Sequence, residues 1–322
     1  NGAAAGPTVM IRCELDALPI HERSDRAHRS RVPGKAHLCG HDGHMSMVVG
    51  LALILRDRRP SRGRVVLMFQ PAEETGVGAA AVISSPGFAE IAPDYAFALH
   101  NVPRLPLGAV GICSEVANCA SRGMRVVLIG KSSHAAAPED GMSPAPAMAA
   151  LMEKFASLGA GGMLDRHFTL STLTHARLGK PSFGIAPGEG ELLVTLRSMT
   201  DEAMATMVAT AERHIVMMSG NLDISTTWHD IFYAVENGPE AVAVANRAVA
   251  KAGLRPLAVN RPMRWSEDFG RFAQAGAQSA MIFIGSGEDQ PQLHNPDFDF
   301  PDALIPFGTH LFLQIIDQLL EI

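Results

Sequence analysis

The predictions for this chain start from residues Ala36–Met45, which read A-H-L-C-G-H-D-G-H-M. This stretch holds four side chains able to bind a metal ion: Cys39, His41, Asp42 and His44. Thiolate and neutral imidazole suit a borderline-soft divalent cation, and the glycine between Cys39 and His41 lets both side chains turn to one side. A lone Cys-x-His is more often a packed thiol beside an ordinary histidine, so the metal interpretation needs support from the rest of the chain.

An apolar run follows this cluster directly. Met45–Leu55, M-S-M-V-V-G-L-A-L-I-L, has the composition of a buried helix. The cluster is therefore predicted to lie at a helix N-terminus. Backbone donors and the helix dipole favour a thiolate at that position, so we expect Cys39 to be a thiolate.

The composition is that of a globular protein with sizeable cores. The 322 residues suggest about two domains, with 47% of residues hydrophobic and 19% charged. The net charge of -6 argues against nucleic acid or an anionic membrane as a partner. No apolar run approaches the ~18 residues that a membrane span needs. Cys13, Cys39, Cys113 and Cys119 are too sparse for a disulfide scaffold, so we expect reduced thiols and a cytoplasmic protein.

Polar side chains gather where predicted strands end. The apolar strands Thr8–Arg12 and Arg64–Gln70 run into C-E-L-D-A-L-P and P-A-E-E-T-G-V-G, and Asp94–Leu99 is followed by His100. With helices between them, these strands predict an α/β fold with a mostly parallel central sheet and flanking helices, whose carboxyl edge carries the site. Taken alone, the acids after the first strand are explained equally well as helix-capping acids of a turn. The acid pair is more often an exposed helix turn, and a histidine such as His100 is more often a core residue than a ligand.

The pattern changes after this first sheet. The next predicted elements are strand Arg122–Ile129, helix 144–158, strand Phe168–Leu178, strand Glu191–Arg197, helix Asp201–Met218 and strand Asp223–His229. The order β-α-β-β-α-β predicts a ferredoxin-like α+β domain inserted at 116–230. The first domain then comprises 1–115 and 231–322, with a further strand and a terminal helix in the second part.

Seven motifs in this order resemble the M20 family of metal-dependent peptidases and amidohydrolases. They are D-A-L-P, C-G-H-D-G-H, P-A-E-E, a strand-ending L-H-N, G-K-x-x-H-A-A-x-P, S-E-D-F and L-H-N-P. The chain looks most like the branch that contains hippurate hydrolase and the indole-acetyl-amino-acid hydrolases. The likeness covers nearly the whole chain, and seven motifs in fixed order are far more specific than any one of them.

The resemblance implies a zinc-peptidase-like catalytic domain with two divalent metal ions, and an inserted domain that serves as lid and dimer interface. The implied metal ligands are Cys39, His41, Glu74, His100 and His294. It also implies that Glu73 is the general base, that Asp16 orients a metal-ligating group, and that His134 reaches the substrate from the other subunit of a homodimer. Zinc or manganese is expected, and cobalt or nickel is compatible with the same ligands.

The expected reaction is hydrolysis of the amide bond of a small N-acyl amino acid by a metal-activated water, with Glu73 as base. Glu14 stands where relatives usually have aspartate, and Phe183–Pro187 lacks the asparagine of the usual N-x-I-P, which leaves substrate identity open. Two alternatives stay open: a catalytically silent member that binds metal or ligand, and a short-peptide hydrolase of the same fold.

Other polar residues of these motifs are expected to support the site indirectly. His37, His44 and His310 are predicted to be structural. Asp42 is predicted to bond the outer nitrogen of a ligating histidine, and Glu267 and Asp268 are predicted to lie behind the ligands.

Overall fold

The computed structural model describes residues 1–259 and 261–322. The chain forms two compact units. Unit 1 comprises Asn1–Ala117, Val235–Pro262 and Glu267–Ile322, and unit 2 comprises Asn118–Ala234 and Met263–Ser266. Among the described residues, no helix has the length and apolarity needed to cross a membrane.

The secondary structure follows the predicted order. The strands are β1 (Ala4–Glu14), β2 (Arg62–Gln70), β3 (Tyr95–Val102), β4 (Val110–Gly111), β5 (Val116–Asn118), β6 (Ala120–Ile129), β7 (Ser133–His134), β8 (Thr169–Leu178), β9 (Ile185–Ala186), β10 (Glu189–Ser198), β11 (Asp223–Phe232), β12 (Val235–Glu236), β13 (Pro256–Leu257) and β14 (Gln278–Gly285). The helices are α1 (His41–Asp57), α2 (Gly78–Ser84), α3 (Phe88–Ile91), α4 (Ala145–Ala156), α5 (Asp201–Met218), α6 (Pro239–Lys251), α7 (Gly270–Gln274) and α8 (Leu304–Leu320), with a 3-10 turn at Pro138–Asp140.

Unit 1 is built on a mostly parallel sheet, as the sequence predicted. Its strand order is β13-β4-β14-β3-β1-β2, and only the β14–β4 pair among the described neighbours is antiparallel. Glu14 pairs with Gln70 where β1 and β2 end, and His100 pairs with Phe283 of β14. Because β3 continues to Val102, His100 lies inside the strand and not after it. The register brings polar residues of three strands to one edge of the sheet.

Helices cover this sheet and bury its strands. The central strands read as continuous apolar runs because both of their faces are covered. Helix α8 packs against α1 and α6, and their apolar side chains join those of β1 and β3 in one core that includes Ile11, Phe97 and Phe312. This packing fixes the start of α1 over the carboxyl ends of the strands, where the candidate site lies.

Unit 2 has the predicted ferredoxin-like arrangement. Its antiparallel sheet has the order β11-β6-β10-β8, and α4 and α5 supply the crossovers. The helix predicted over Asp201–Met218 has those bounds in the structure, and it is capped by Thr200, whose hydroxyl accepts from the Ala203 N–H at 3.2 Å. Alternating residues of β10 fill a second core with α4 and α5.

One segment differs from the sequence-based division of the chain. All of 231–322 was predicted to belong to the first domain, whereas Met263–Ser266 clusters with unit 2. The Cys119 N–H donates to the Met263 carbonyl at 3.1 Å, and Arg197 donates to the Ser266 hydroxyl at 3.0 Å. These contacts join residues far apart in the chain, so local pattern gives no sign of them.

A polar contact in unit 1 gives a pH-dependent prediction. His28 Nε2 lies 2.8 Å from Asp299 Oδ1, and this hydrogen bond, with the charge of Asp299, raises the pKa of His28 above its ordinary value. The pKa of His28 is therefore higher in the folded than in the unfolded state. The pair stabilises the fold fully at pH values below the unfolded-state pKa, and this stabilisation is lost as the pH rises through the folded-state pKa. Asp299→Asn should lower the pKa of His28 toward its ordinary value in an NMR titration.

Asp302→Asn is the matched control, because Asp302 acts on His28 by charge without a hydrogen bond. Its effect on the His28 titration should be the smaller of the two. An unchanged His28 pKa in Asp299→Asn would contradict the contact.

Candidate metal centre

The C-G-H turn sets the position of two candidate ligands. Gly40 precedes helix α1 with a φ of 94°, a conformation that residues with a side chain rarely adopt. A Cβ on this residue would lie 2.3 Å from Asn101 Oδ1, so the site requires glycine for space as well. The turn places Cys39 just before the helix and His41 in its first turn, with both side chains buried.

The structure brings all five predicted ligands together at the carboxyl edge of the unit 1 sheet. Their donor atoms form overlapping sets within 4.8 Å: Cys39 with His41 and His100, and Cys39 with Glu74 and His294. Cys39 Sγ lies 3.5 Å from His100 Nε2, and Glu74 Oε1 lies 3.4 Å from His294 Nε2. Donor atoms that bind one Zn²⁺ at about 2.0–2.3 Å are roughly 3–4 Å apart, so these separations are those of ligands sharing a cation.

The histidines present the nitrogen that a metal would need. His41 Nδ1 lies 3.0 Å from the Asp16 carbonyl oxygen and His100 Nδ1 lies 2.8 Å from the Asn101 carbonyl oxygen, so each ring directs Nε2 into the cluster. The prediction that Asp42 orients a ligating histidine is wrong, because Asp42 is exposed and its carboxylate accepts from the Gly43 N–H.

Two buried atoms of the cluster show that it fits a cation. His41 Nε2 and Glu74 Oε1 are buried and have no hydrogen-bond partner among the described residues, and they face each other at 3.9 Å. Burying polar atoms without partners costs free energy, which a shared cation would recover. Burial lowers the pKa of His41, but the hydrogen bond with Asp16 and the charges of Glu14 and Glu74 outweigh it and raise this pKa to about 9.

Cys39 differs from the sequence-based expectation of a stabilised thiolate. Burial raises the pKa of its thiol well above the ordinary value, and the negative charges of Glu74, Glu73 and Glu14 raise it further. Stabilisation of a thiolate by the helix dipole and the backbone N–H groups at the start of α1 does not overcome these effects. A divalent cation held by the sulfur would reverse them, since a coordinating thiol is deprotonated.

The acid pair lies in the turn after β2, which we call the acid-pair loop (71–77). Asp16 Oδ2 accepts from the Glu74 N–H at 2.9 Å, so the predicted orienting acid contacts both the loop and His41. Glu73 is buried, with Oε2 4.0 Å from His41 Nε2. Burial, together with Glu267, raises the pKa of Glu73 well above its usual range. A raised pKa makes a carboxylate a stronger base, which is the direction required of a group that accepts a proton from water.

A buried charge network that sequence reasoning missed lies beneath the cluster. Arg12 is fully buried in β1, and its guanidinium contacts Glu14, Gln70, Glu267 and Asp268. It appeared in the sequence only as the last residue of an apolar strand. The signal available was a charged residue in a strand predicted to be buried, which demands partners.

Glu14 links this network to the histidines. It contacts the Arg12 guanidinium and lies 2.7 Å from His44 Nδ1, while His44 Nε2 lies 2.8 Å from Asn101 Oδ1. Burial acts to raise the pKa of Glu14, but Arg12 and His44 outweigh it and hold that pKa well below the usual range. Burial raises the pKa of Glu267 to about 7, and Arg12 opposes this rise.

The remaining predicted residues lie outside this cluster. His134 is exposed on β7 of unit 2, where its Nδ1 accepts from the Ala136 N–H at 3.0 Å. His310 is exposed on α8, and His37 is not part of the ligand sets found among the described residues. The roles of the predicted ligands, of Glu73 and of His134 stay predictions.

Comparison with known proteins identifies relatives over the whole chain. The model of peptidase family M20/M25/M40 matches residues 10–318. The chain is 25% identical to an N-acetylcysteine deacetylase of Bacillus subtilis (strain 168), over 100% of the chain and 84% of that protein. It is 27% identical to an IAA-amino acid hydrolase of Arabidopsis thaliana, over 99% of the chain and 75% of that protein. It is 28% identical to an N-acetyldiaminopimelate deacetylase of Lactobacillus helveticus (strain DPC 4571), over 92% and 79%.

Solved structures share the fold. The YXEP protein of Bacillus subtilis, described as a dinuclear metal binding peptidase from the M20 family, superposes with a TM-score of 0.80 at 24% identity, over 100% of this chain and 83% of that one. Aminopeptidase PepT of Bacillus cereus gives a TM-score of 0.70 at 18% identity, over 98% and 81%. The resemblance predicted from the motifs and the α/β fold class are thus confirmed.

The contacts of His44 give a prediction for stability. His44→Leu leaves Glu14 and Asn101 buried without one partner each, so the free energy of unfolding should fall by about 1–3 kcal/mol. Urea denaturation in the presence of a chelator would measure this without interference from metal loss. His310→Leu, an exposed control, should change stability by less than ~0.5 kcal/mol. Equal stabilities of the two variants would contradict a structural role for His44.

Proposed function

We propose that this chain, which belongs to peptidase family M20/M25/M40 and is a metal-dependent amidohydrolase, hydrolyses the amide bond of N-acyl amino acids. The observation that supports this most directly is the convergence of Cys39, His41, Glu74, His100 and His294 beside the buried Glu73. These residues come from four separate segments of the chain. A structural role alone would not require unpaired donor atoms at their meeting point.

The substrate class is supported by the printed names of relatives. Three of them are an N-acetylcysteine deacetylase, an IAA-amino acid hydrolase and an N-acetyldiaminopimelate deacetylase. Each name describes removal of an acyl group from an amino acid nitrogen. The identities of 25–28% support the reaction class for this chain and leave the acyl group and the amino acid open.

We further propose that the cluster binds two divalent metal ions, zinc or manganese, with cobalt or nickel as compatible substitutes. Sulfur, imidazole and carboxylate ligands suit all four metals. The overlapping donor sets, which share Cys39, provide for two neighbouring positions, and the B. subtilis YXEP structure is described as dinuclear. Bound there, two such ions would supply Lewis acidity and lower the pKa of a water toward about 7.

Glu73 carries the proton in the proposed mechanism. Its carboxylate accepts a proton from the water that attacks the amide carbonyl, and it then donates this proton to the departing amine. Burial and the neighbouring acids raise its pKa, which makes it able to hold the proton between the two steps. Asp16 orients His41 through its carbonyl oxygen and holds the acid-pair loop through the Glu74 N–H.

We also propose that unit 2 mediates a homodimer and that His134 acts on substrate bound to the other subunit. The His134 Nδ1 accepts a backbone N–H, so in the neutral ring the proton lies on Nε2. An exposed Nε2–H is a suitable donor to the oxyanion that develops during amide hydrolysis.

In light scattering, a mass twice the 34.3 kDa of the chain would support the dimer, and a mass of one chain at all concentrations would contradict it.

Variants of the cluster separate chemistry from metal binding. Glu73→Gln should lower kcat by about 100-fold or more, because the base is lost, while metal content measured by elemental analysis stays near that of the unaltered protein. Cys39→Ala should lower metal content as well as activity. Glu90→Gln, at an exposed acid of α3, is the control. Full activity in Glu73→Gln would remove Glu73 from the mechanism.

A substrate panel tests the proposed function itself. Protein restored with each metal is offered N-acetyl amino acids, N-benzoyl amino acids and dipeptides, and release of free amino acid is measured. Metal-dependent cleavage of the N-acyl compounds is expected. Preference for dipeptides would indicate a short-peptide hydrolase, and metal binding without cleavage of any compound would indicate a catalytically silent member.

A further inference from the structure

Asp268 contacts both ends of the acid-pair loop. Gln70, the last residue of β2, donates from Nε2 to both carboxylate oxygens of Asp268 at 2.9 Å. The Ala79 N–H, in the first turn of α2, donates to Asp268 Oδ2 at 2.7 Å. The residue immediately before the loop that carries Glu73 and Glu74 and the second residue after it are therefore held by one side chain, which lies 189–198 residues further along the chain.

Arg12 holds Asp268 in place. Its Nη2 donates to Asp268 Oδ1 at 2.6 Å and its Nε donates to Gln70 Oε1 at 3.0 Å. Arg12, Asp268 and Gln70 thus form a closed ring of hydrogen bonds, and their side chains are buried. Such a ring fixes the separation of β1, the end of β2 and the 267–268 turn, because the planar guanidinium donates in fixed directions.

The loop itself requires this support. Ala72 has a φ of 55°, a left-handed conformation that is unfavourable for a residue with a Cβ. Its carbonyl oxygen accepts from the Gly78 N–H at 3.0 Å, and the Gly76 N–H donates to the Glu73 carbonyl oxygen at 2.8 Å. A backbone of this kind persists when the surrounding contacts determine it, and the contacts with Asp268 lie at the two ends of the loop.

The contacts also show that Asp268 does not serve as a ligand. Donor atoms of Glu73, Glu267 and Asp268 lie within 4.8 Å of one another, which is the arrangement of a possible cation site. However, Asp268 Oδ1 accepts from Arg12 and Gln70, and Oδ2 accepts from Gln70 and Ala79. A carboxylate offers about four lone-pair sites, so these N–H groups occupy all of them. The negative charge of the Asp268 carboxylate is balanced by the Arg12 guanidinium.

We propose that Asp268 is a positioning residue that, with Arg12 and Gln70, sets the place of Glu73 and Glu74 in the metal centre. The inference rests on the proposed function insofar as Glu74 is a metal ligand and Glu73 the base. The acid-pair loop is then not held in place by its own residues alone. Its geometry is set by the carboxylate of Asp268, which belongs to the S-E-D-F segment.

Asp268→Asn is the sharpest test because it preserves size. Asparagine has one acceptor oxygen, so its NH₂ group must face a donor, either Arg12 or the Ala79 N–H. Metal-depleted protein is titrated with Co²⁺, and the visible absorption of the bound cobalt reports affinity and coordination. We expect the Co²⁺ affinity to fall by about 10-fold or more and the cobalt spectrum to change, with kcat falling by a similar factor and KM within about twofold.

Two further variants keep the test decisive. Gln70→Met removes the contact with Asp268 at one end of the loop, together with the acceptor of Arg12 Nε, and leaves the Ala79 contact in place. It should weaken cobalt binding in the same direction but less, and it replaces Asp268→Asn if that variant does not fold. Asp94→Asn is the matched control, because Asp94 also accepts a backbone N–H, from Thr8 at 2.7 Å, but lies just before β3 at its amino end. Its cobalt spectrum and kcat should equal those of the unaltered protein.

The outcomes separate this inference from the proposed function. A purely structural role would lower the melting temperature of Asp268→Asn and leave the cobalt spectrum and kcat of the folded protein unchanged, which would overturn the inference. If the unaltered protein binds cobalt but cleaves none of the panel, the proposed function fails, while cobalt binding by the variants still decides the role of Asp268.

Discussion

The buried carboxylates at the carboxyl edge of the unit 1 sheet depend on one buried guanidinium, that of Arg12. Arg12 is enclosed in strand β1 and contacts three carboxylates, those of Glu14, Glu267 and Asp268. Several buried carboxylates without a cation would repel one another and lose hydration at a cost of several kcal/mol per ion. Arginine can satisfy this set because it presents five N–H groups in a fixed fork, whereas the single ammonium of lysine cannot span it.

The network connects the two kinds of group that the chemistry needs. On one side, Arg12 and Asp268 hold the loop that carries Glu73 and Glu74. On the other side, Arg12 contacts Glu14, which lies against His44 and thereby against the strand that carries His100. In the proposed mechanism, the group that moves the proton and the groups that bind the metal therefore share one buried hydrogen-bond network.

Much of this arrangement could be predicted from the sequence, because the motifs combine ligand type with turn chemistry. Parallel strands place their carboxyl ends at one edge, so Glu74 and His100 were expected beside Cys39, and the structure has them there. The partners of Arg12 were not predictable, because Glu267 and Asp268 lie 255 and 256 residues away in the chain. Likewise, the protonation of Cys39 depends on burial and on surrounding charges, and the motif read alone indicated the opposite direction.

Among the five candidate ligands, His294 is the one at the surface, with 48% of its side chain exposed against 1% for His41. Its backbone is left-handed, with a φ of 67°, and its N–H is bound to the carbonyl of Leu38, directly before Cys39. The most exposed candidate ligand is therefore tethered by its backbone to the residue that precedes the buried sulfur, so the solvent-facing side of the cluster and its interior are joined through the main chain.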